Sequence, residues 1–220
     1  MTDFSKEQNN NCFIGTDEVG VGDFFGPLVV VACFVSKENI NNFDIFEKIK
    51  DSKQITNENI FKIYEKIKNI VKYSVVVIDN EKYNSIYDKV NNSHVLKALG
   101  HNRALFDLIK NNPELSDAQI IIDEFVNKSK YFEYLKMWEK NIVTENVCLV
   151  QKAENKYLAV ACASIIARAY FLMAIKDLEK KTNLKLPLGA SSQVKELVRK
   201  YKKEHPDKVK TFIKMHFKDI

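Results

Sequence analysis

The run Ile120-Ile121-Ile122, closed by Asp123, constrains the fold more than any other segment. Three consecutive β-branched residues lack the alternation of a strand with one wet face. They predict a central strand buried on both sides, which requires helices above and below the sheet. The rest of the chain reads as a single α/β domain built around it. Residues 12–17 and 28–35 are apolar and β-rich, separated by a glycine-punctuated turn at 20–27, and predict a hairpin at the edge of the central sheet. A helix over 57–70, with Ile60, Phe61, Tyr64, Ile67 and Val71 at helical spacing, follows the cap-type residues Asp51, Ser52 and Thr56 and leads into a third strand at 73–78. Helices over 81–87 and 94–109 precede the central strand at 118–123. A fifth strand is expected at 142–150, and the long apolar helix after it, 158–175, must lie against the sheet. The last 40 residues read as helical and basic, broken at Pro187-Leu188-Gly189.

Composition limits the classes of function. A hydrophobic fraction of 45% over 220 residues is that of an ordinary soluble domain, with 1–11 as a polar N-terminal tail. That tail lacks the apolar stretch of a signal peptide, and no later run is read as approaching the roughly 18 apolar residues of a membrane span, so a cytoplasmic protein without a membrane partner is expected. The formal net charge of +5 suits a polyanionic partner, although the many Lys, Asn and Ile residues also fit an AT-rich coding bias. Cys12, Cys33, Cys148 and Cys162 are scattered through the sequence with no C-x-x-C pair, as free thiols would be.

Chemistry concentrates where strands end in acids. Asp17 and Glu18 close the first strand, and Gly20 and Gly22 let the backbone leave the sheet sharply. Adjacent carboxylates raise each other's pKa, whereas a bound divalent cation reverses the sign of that interaction. Asp123 ends the central strand, and neighbouring strands would bring it to Asp17 at the carboxyl edge of the sheet, where open α/β sheets place their sites. Glu154, between the fifth strand and the long helix, completes the group. Four carboxylates without His or Cys form an oxygen-only donor set suited to Mg²⁺ or Mn²⁺. Two such ions would activate a water and stabilise the leaving oxygen of a phosphodiester. Gly20-Val21-Gly22 is not a dinucleotide loop: the next glycine is Gly26, and Pro27 with a β-rich run follows in place of a helix. Its glycines would instead let backbone atoms approach a substrate sugar.

Gly15-Thr16-Asp17-Glu18-Val19-Gly20-Val21-Gly22-Asp23-Phe24-Phe25-Gly26-Pro27 resembles the opening signature of the catalytic domain of bacterial ribonuclease HIII, within the type 2 ribonuclease H superfamily. The resemblance continues in order through Asp51-Ser52-Lys53, Gly100-His101, Ile122-Asp123-Glu124-Phe125, Lys152-Ala153-Glu154, Ala163-Ser164-Ile165-Ile166-Ala167-Arg168, Leu186-Pro187-Leu188-Gly189-Ala190 and His216-Phe217-Lys218. It implies a ribonuclease H-like five-stranded mixed sheet flanked by helices, with a helical C-terminal region. It also implies endonucleolytic cleavage of the RNA strand of RNA/DNA hybrids, leaving 5′-phosphate and 3′-hydroxyl ends. Asp17, Glu18, Asp123 and Glu154 would hold the metals, and Gly20, Val21 and Gly22 would read the ribose 2′-hydroxyl, the group that separates RNA from DNA. Lys53, Ser164 and Arg168 are the candidate phosphate contacts, and no obligate protein partner is expected of what reads as a monomer. His101 and His216 are expected to be structural, and Tyr157, Tyr170 and Phe171 to be packing residues. The competing readings are cleavage at single ribonucleotides in duplex DNA and a non-catalytic hybrid-binding module. Two departures stand out: Val21 occupies a position where the family usually has threonine, and only about a dozen residues precede the first strand, where relatives commonly carry a hybrid-binding domain resembling TATA-binding protein.

Overall fold

A computed structural model describes residues 13–42, 44–46, 49 and 56–217. Cys12 and the Asp51-Ser52-Lys53 segment, with its cap and its candidate phosphate contact, therefore lie outside the described residues. The five expected strands form one sheet in the order β3-β2-β1-β4-β5. They are β1 (Phe13–Val19), β2 (Leu28–Phe34), β3 (Lys72–Ile78), β4 (Gln119–Asp123) and β5 (Val147–Val150). β1 is antiparallel to β2 and parallel to β4, while β2–β3 is antiparallel and β4–β5 parallel. The β1–β2 hairpin is thus not at the edge of the sheet: β1 is its middle strand, because β4 pairs along its free side and β3 along that of β2.

Strand alternation divides the interior into two layers. Val29, Val31 and Cys33 of β2 face one core with the helices α2 (Asn57–Ile67), α6 (Leu158–Thr182) and α7 (Ser192–Glu204). Leu28, Val30 and Ala32 face the other, with α3 (Asn80–Val90), α4 (Ser93–Asn111) and α5 (Lys128–Trp138). α1 (Lys37–Asn42) is a short connector. Burial of Ile120, Ile121 and Ile122 to 2% exposure or less matches the two-sided burial read from the sequence.

Three local features depart from the sequence expectation. Helix α5 was not expected: its buried residues, Tyr131, Tyr134 and Leu135, are too few among lysines to show a clear apolar stripe, although Asn127, which accepts a hydrogen bond from the Lys130 N–H at 2.8 Å, is an ordinary N-cap. The fifth strand begins five residues later than expected. Asn102 on α4 takes the backbone of the preceding segment out of the sheet, donating to Asn141 O at 2.8 Å and accepting from Val143 N–H at 2.9 Å, and Asn146 turns the chain with φ +55°. Finally, α6 is long and apolar enough to cross a membrane by length and composition, contrary to the absence of such a run expected above. Because 67% of its most apolar stretch is buried inside the protein, it reads as a core helix.

Close approach of α6 to the sheet depends on Gly15. A Cβ at that position would stand 2.2 Å from Val160 N and 2.4 Å from the Ala159 carbonyl carbon. The same helix continues beneath the glycine turn, where Phe171 and Ile175 occupy the space next to Gly20 (φ +104°) and Gly26 (φ +82°).

Candidate active site

The parallel register that sets Thr16 beside Ile122 makes Asp17 and Asp123 the next residues on adjacent strands, both at the carboxyl edge of the sheet. Alternation along β1 sends Asp17 and Glu18 to opposite faces. Asp17 faces α6, where the Ser164 hydroxyl hydrogen-bonds to its carboxylate, and its Oδ1 also accepts from the Glu18 N–H at 2.8 Å. Burial first, then the charge of Glu18 and, more weakly, that of Asp123, push Asp17 up to about 8 against these hydrogen bonds.

Asp123 is anchored through Oδ1, which accepts the Ala153 N–H at 2.8 Å. That bond belongs to the short 3₁₀ turn Ala153–Asn155, entered through Lys152 at φ +52°, and the turn brings Glu154 to Asp123. Glu154 also accepts from Asn155 Nδ2 at 2.6 Å. Its pKa is raised, by burial and then by the charge and hydrogen bonding of Asp123, with a backbone hydrogen bond and Lys152 opposing. Asp17, Asp123 and Glu154 therefore meet at one edge of the sheet, while Glu18 reaches over the other face.

Glu18 has its own set of partners on α4. Its Oε1 accepts from Lys97 Nζ at 2.5 Å and its Oε2 from His101 Nε2 at 2.9 Å. Burial raises its pKa, but His101 and Lys97 outweigh that and hold it down at about 2. His101, fully buried, places Nδ1 2.8 Å from the Thr16 hydroxyl, so one ring fixes two successive inward positions of β1. Since Nε2–H must donate to the carboxylate, a neutral ring accepts the Thr16 O–H at Nδ1. Phe125, just past β4, supports this group: His101 stacks on its ring at 5.3 Å and the Lys97 ammonium lies 4.2 Å from its centre. The sequence expected His101 to be structural; the structure gives it a definite task, orienting Glu18, and Lys97 was not singled out at all. Lys97 and His101 stand four apart on one helix, and Gly100-His101 is among the segments that carry the family resemblance; these were the sequence signals.

Removing the imidazole takes one of two partners from the part-buried Glu18 carboxylate and strips the buried Thr16 hydroxyl of its bond. His101→Ala should destabilise the fold by about 2–4 kcal/mol in urea titrations and lower turnover by about 10–100-fold, as loss of a group that orients a ligand commonly does. Wild-type stability and turnover together would refute the orienting role.

The other candidates are placed as follows. Ser164 bonds to Asp17, and Arg168 donates to Asn57 Oδ1 at 3.3 Å on the partly exposed side of α6. Phe171 is buried as expected, Tyr170 packs edge-on against Tyr64, and Tyr157 packs likewise against Phe13. In the glycine turn, Val21 packs on the α4-side core, while Gly22 is exposed, with open space within 4 Å of the point where a Cβ would stand. Among the described residues, neither the Val21 nor the Gly22 amide donates a hydrogen bond within the protein. Also among the described residues, no three His, Cys, Asp or Glu side chains stand as a ready-made metal cage.

The family model described as ribonuclease HII matches residues 14–220. Ribonuclease HIII of Bacillus cereus (strain AH187) is 40% identical over 208 residues, spanning 93% of this chain and 65% of that protein, and ribonuclease HIII of Bacillus anthracis (strain A0248) matches equally. The chain thus spans about two thirds of the length of these curated relatives. A crystal structure of Bst-RNase HIII in complex with Mn²⁺ superposes with a TM-score of 0.90 at 36% identity, over 98% of this chain and 70% of that one. Aquifex aeolicus RNase H3 superposes at 0.72 with 28% identity, over 92% and 71%. A family match over nearly the whole chain, together with this superposition, means that the chain belongs to the ribonuclease HII family and stands with its ribonuclease HIII members.

Proposed function

We propose that the chain is a ribonuclease H that cuts the RNA strand of RNA/DNA hybrids endonucleolytically, with divalent cations held by Asp17, Asp123, Glu154 and Glu18. The convergence of Asp17, Asp123 and Glu154 at adjacent parallel strand ends carries this reading. The donor set fits hard divalent ions such as Mg²⁺ or Mn²⁺: every donor is a carboxylate oxygen, and a buried acid pushed up to about 8 by desolvation and like charge is one that a cation relieves. Two bound ions would supply an activated water and stabilise the leaving oxygen, giving 5′-phosphate and 3′-hydroxyl products.

The chain's own residues do the rest. Asp123 and Glu154 are held in register by the 3₁₀ turn, Ser164 fixes Asp17, and the Lys97–His101 pair orients Glu18. The unengaged Val21 and Gly22 amides are suited to a ribose 2′-hydroxyl, and the empty space around Gly22 lets a sugar approach its backbone. Backbone reading also explains how Val21 is compatible with function, since its side chain serves the core.

Purified protein given a uniform hybrid should cleave it with Mg²⁺ or Mn²⁺ and not in chelator. A duplex carrying one ribonucleotide should be the poorer substrate. Binding without metal-dependent cleavage would overturn the enzymatic reading, and preference for the single ribonucleotide would overturn the choice of substrate.

A further inference from the structure

Lys214 is a charged residue with no exposed surface, and no carboxylate lies within ion-pair reach of it among the described residues. Its ammonium donates instead to the backbone carbonyls of Asp23, at 3.1 Å, and Gly26, and lies 5.4 Å from the centre of the Tyr83 ring. Burial drives its pKa down to about 7, opposed by the charge of Asp23. A methionine or leucine would fill such a site at lower cost. What those side chains lack is the capacity to gather two carbonyls that would otherwise repel each other.

Those carbonyls belong to the inner half of the glycine turn, and Lys214 belongs to a C-terminal strap that pairs with it. The Lys214 N–H donates to Phe24 O at 2.9 Å, the Gly26 N–H to Phe212 O at 3.4 Å, and Phe25 bridges Ile213. Asn84 on α3 fixes the strap, donating to Lys210 O and Ile213 O at 3.1 and 2.8 Å and accepting from Met215 N–H at 2.9 Å. Phe217 closes over Phe24 at 4.2 Å. On its remaining side the turn is held by Asp23, whose carboxylate accepts the Gly189 N–H at 2.6 Å. The inner half is tied down at Asp23, Phe24 and Gly26, whereas the Val21 and Gly22 amides, on the more exposed outer half, donate no hydrogen bond among the described residues.

We propose that Lys214 is a positioning residue for the substrate-reading turn: by drawing the Asp23 and Gly26 carbonyls inward it holds Val21 and Gly22 in the conformation that meets the ribose. This rests on the reading of the turn given under the proposed function. The C-terminal strap then determines how tightly a ribonucleotide strand is held, without touching it.

The test compares Lys214→Met and Lys214→Arg with the wild type in hybrid-cleavage kinetics and in amide hydrogen exchange of the peptide covering 20–27. In Lys214→Met, KM should rise about tenfold while kcat stays within about threefold, and exchange of that peptide should accelerate about tenfold as the turn opens locally. Lys214→Arg, which keeps the charge and its donors, should lie closer to wild type. Unchanged exchange, or unchanged KM in a folded variant, overturns the proposal. A purely structural role would lower the melting temperature and leave KM of the folded protein alone. Should Lys214→Met fail to fold by circular dichroism, Lys214→Gln is judged by the same two criteria. If the wild type cleaves no hybrid, the functional reading fails on its own, and the exchange result still decides whether Lys214 holds the turn.

Discussion

Asp123→Asn should abolish hybrid cleavage, by about a thousandfold or ~4 kcal/mol of transition-state stabilisation, and leave the fold intact. The substitution is nearly isosteric, and the amide oxygen can still accept the Ala153 N–H that ties β4 to the 3₁₀ turn. What disappears is one negative charge at the meeting point of Asp17 and Glu154, the two groups whose pKa values its charge raises. Without a cation the loss of that repulsion should be neutral or stabilising, so the variant's urea midpoint in chelator should equal or exceed that of wild type. With Mg²⁺ or Mn²⁺ the stabilisation that a bound ion gives the wild type should shrink, because affinity for the native state is what the ion adds to stability. Cleavage assays and metal-dependent melting curves on the same preparations check both halves. Cleavage at the wild-type rate would remove Asp123 from the ligand set.

The sheet was legible because its strands carry their burial in their composition. The isoleucine run of β4 reads as a two-sided interior strand and is one, whereas the valine run of β2, equally buried, was legible as a strand but not as an interior one. The acids at the ends of β1 and β4, Asp17-Glu18 and Asp123, were legible too, since carboxylates closing an apolar strand are out of place unless something charged answers them. Several features were hidden because they are set by partners distant in sequence. That the hairpin occupies the middle of the sheet depends on β4 pairing with β1 across about 100 residues of intervening chain. The opposite orientations of Asp17 and Glu18 follow from the period of two along β1, yet what each one meets, Ser164 or the Lys97–His101 pair, is decided by which helix covers which face. Lys214 looked like one more cation in a basic tail, and only the strap's pairing with the glycine turn buries it.

Gly15→Ala should be among the most destructive single-methyl changes at the described residues. The added carbon would meet Val160 N at 2.2 Å, the Ala159 carbonyl carbon at 2.4 Å and Val160 Cα at 2.7 Å. All three are backbone atoms in the first turn of α6, so no rotamer change relieves the contact, and the helix as a whole must withdraw by about 1 Å or more to restore ordinary van der Waals distance. Gly100 shows the contrast: its tightest neighbour is a methyl of Val30, a side-chain atom that can yield. Displacing α6 loosens the core it shares with β1 and β2, and overpacking against rigid backbone sits at or beyond the upper end of the usual range, about 3–4 kcal/mol. For a domain of this size that corresponds to a fall of about 10 °C in melting temperature. The functional cost follows from the same displacement. Ser164 lies one turn further along α6 and is the hydroxyl that fixes Asp17, so the helix cannot retreat without moving a partner of the acid pair. Thermal unfolding followed by circular dichroism, paired with cleavage measured well below the transition, separates the two effects: Gly15→Ala should lose activity even where it is fully folded, whereas Gly100→Ala should lose far less of either. Equal melting temperatures for Gly15→Ala and wild type would mean that α6 does not press on β1 as closely as the structure has it.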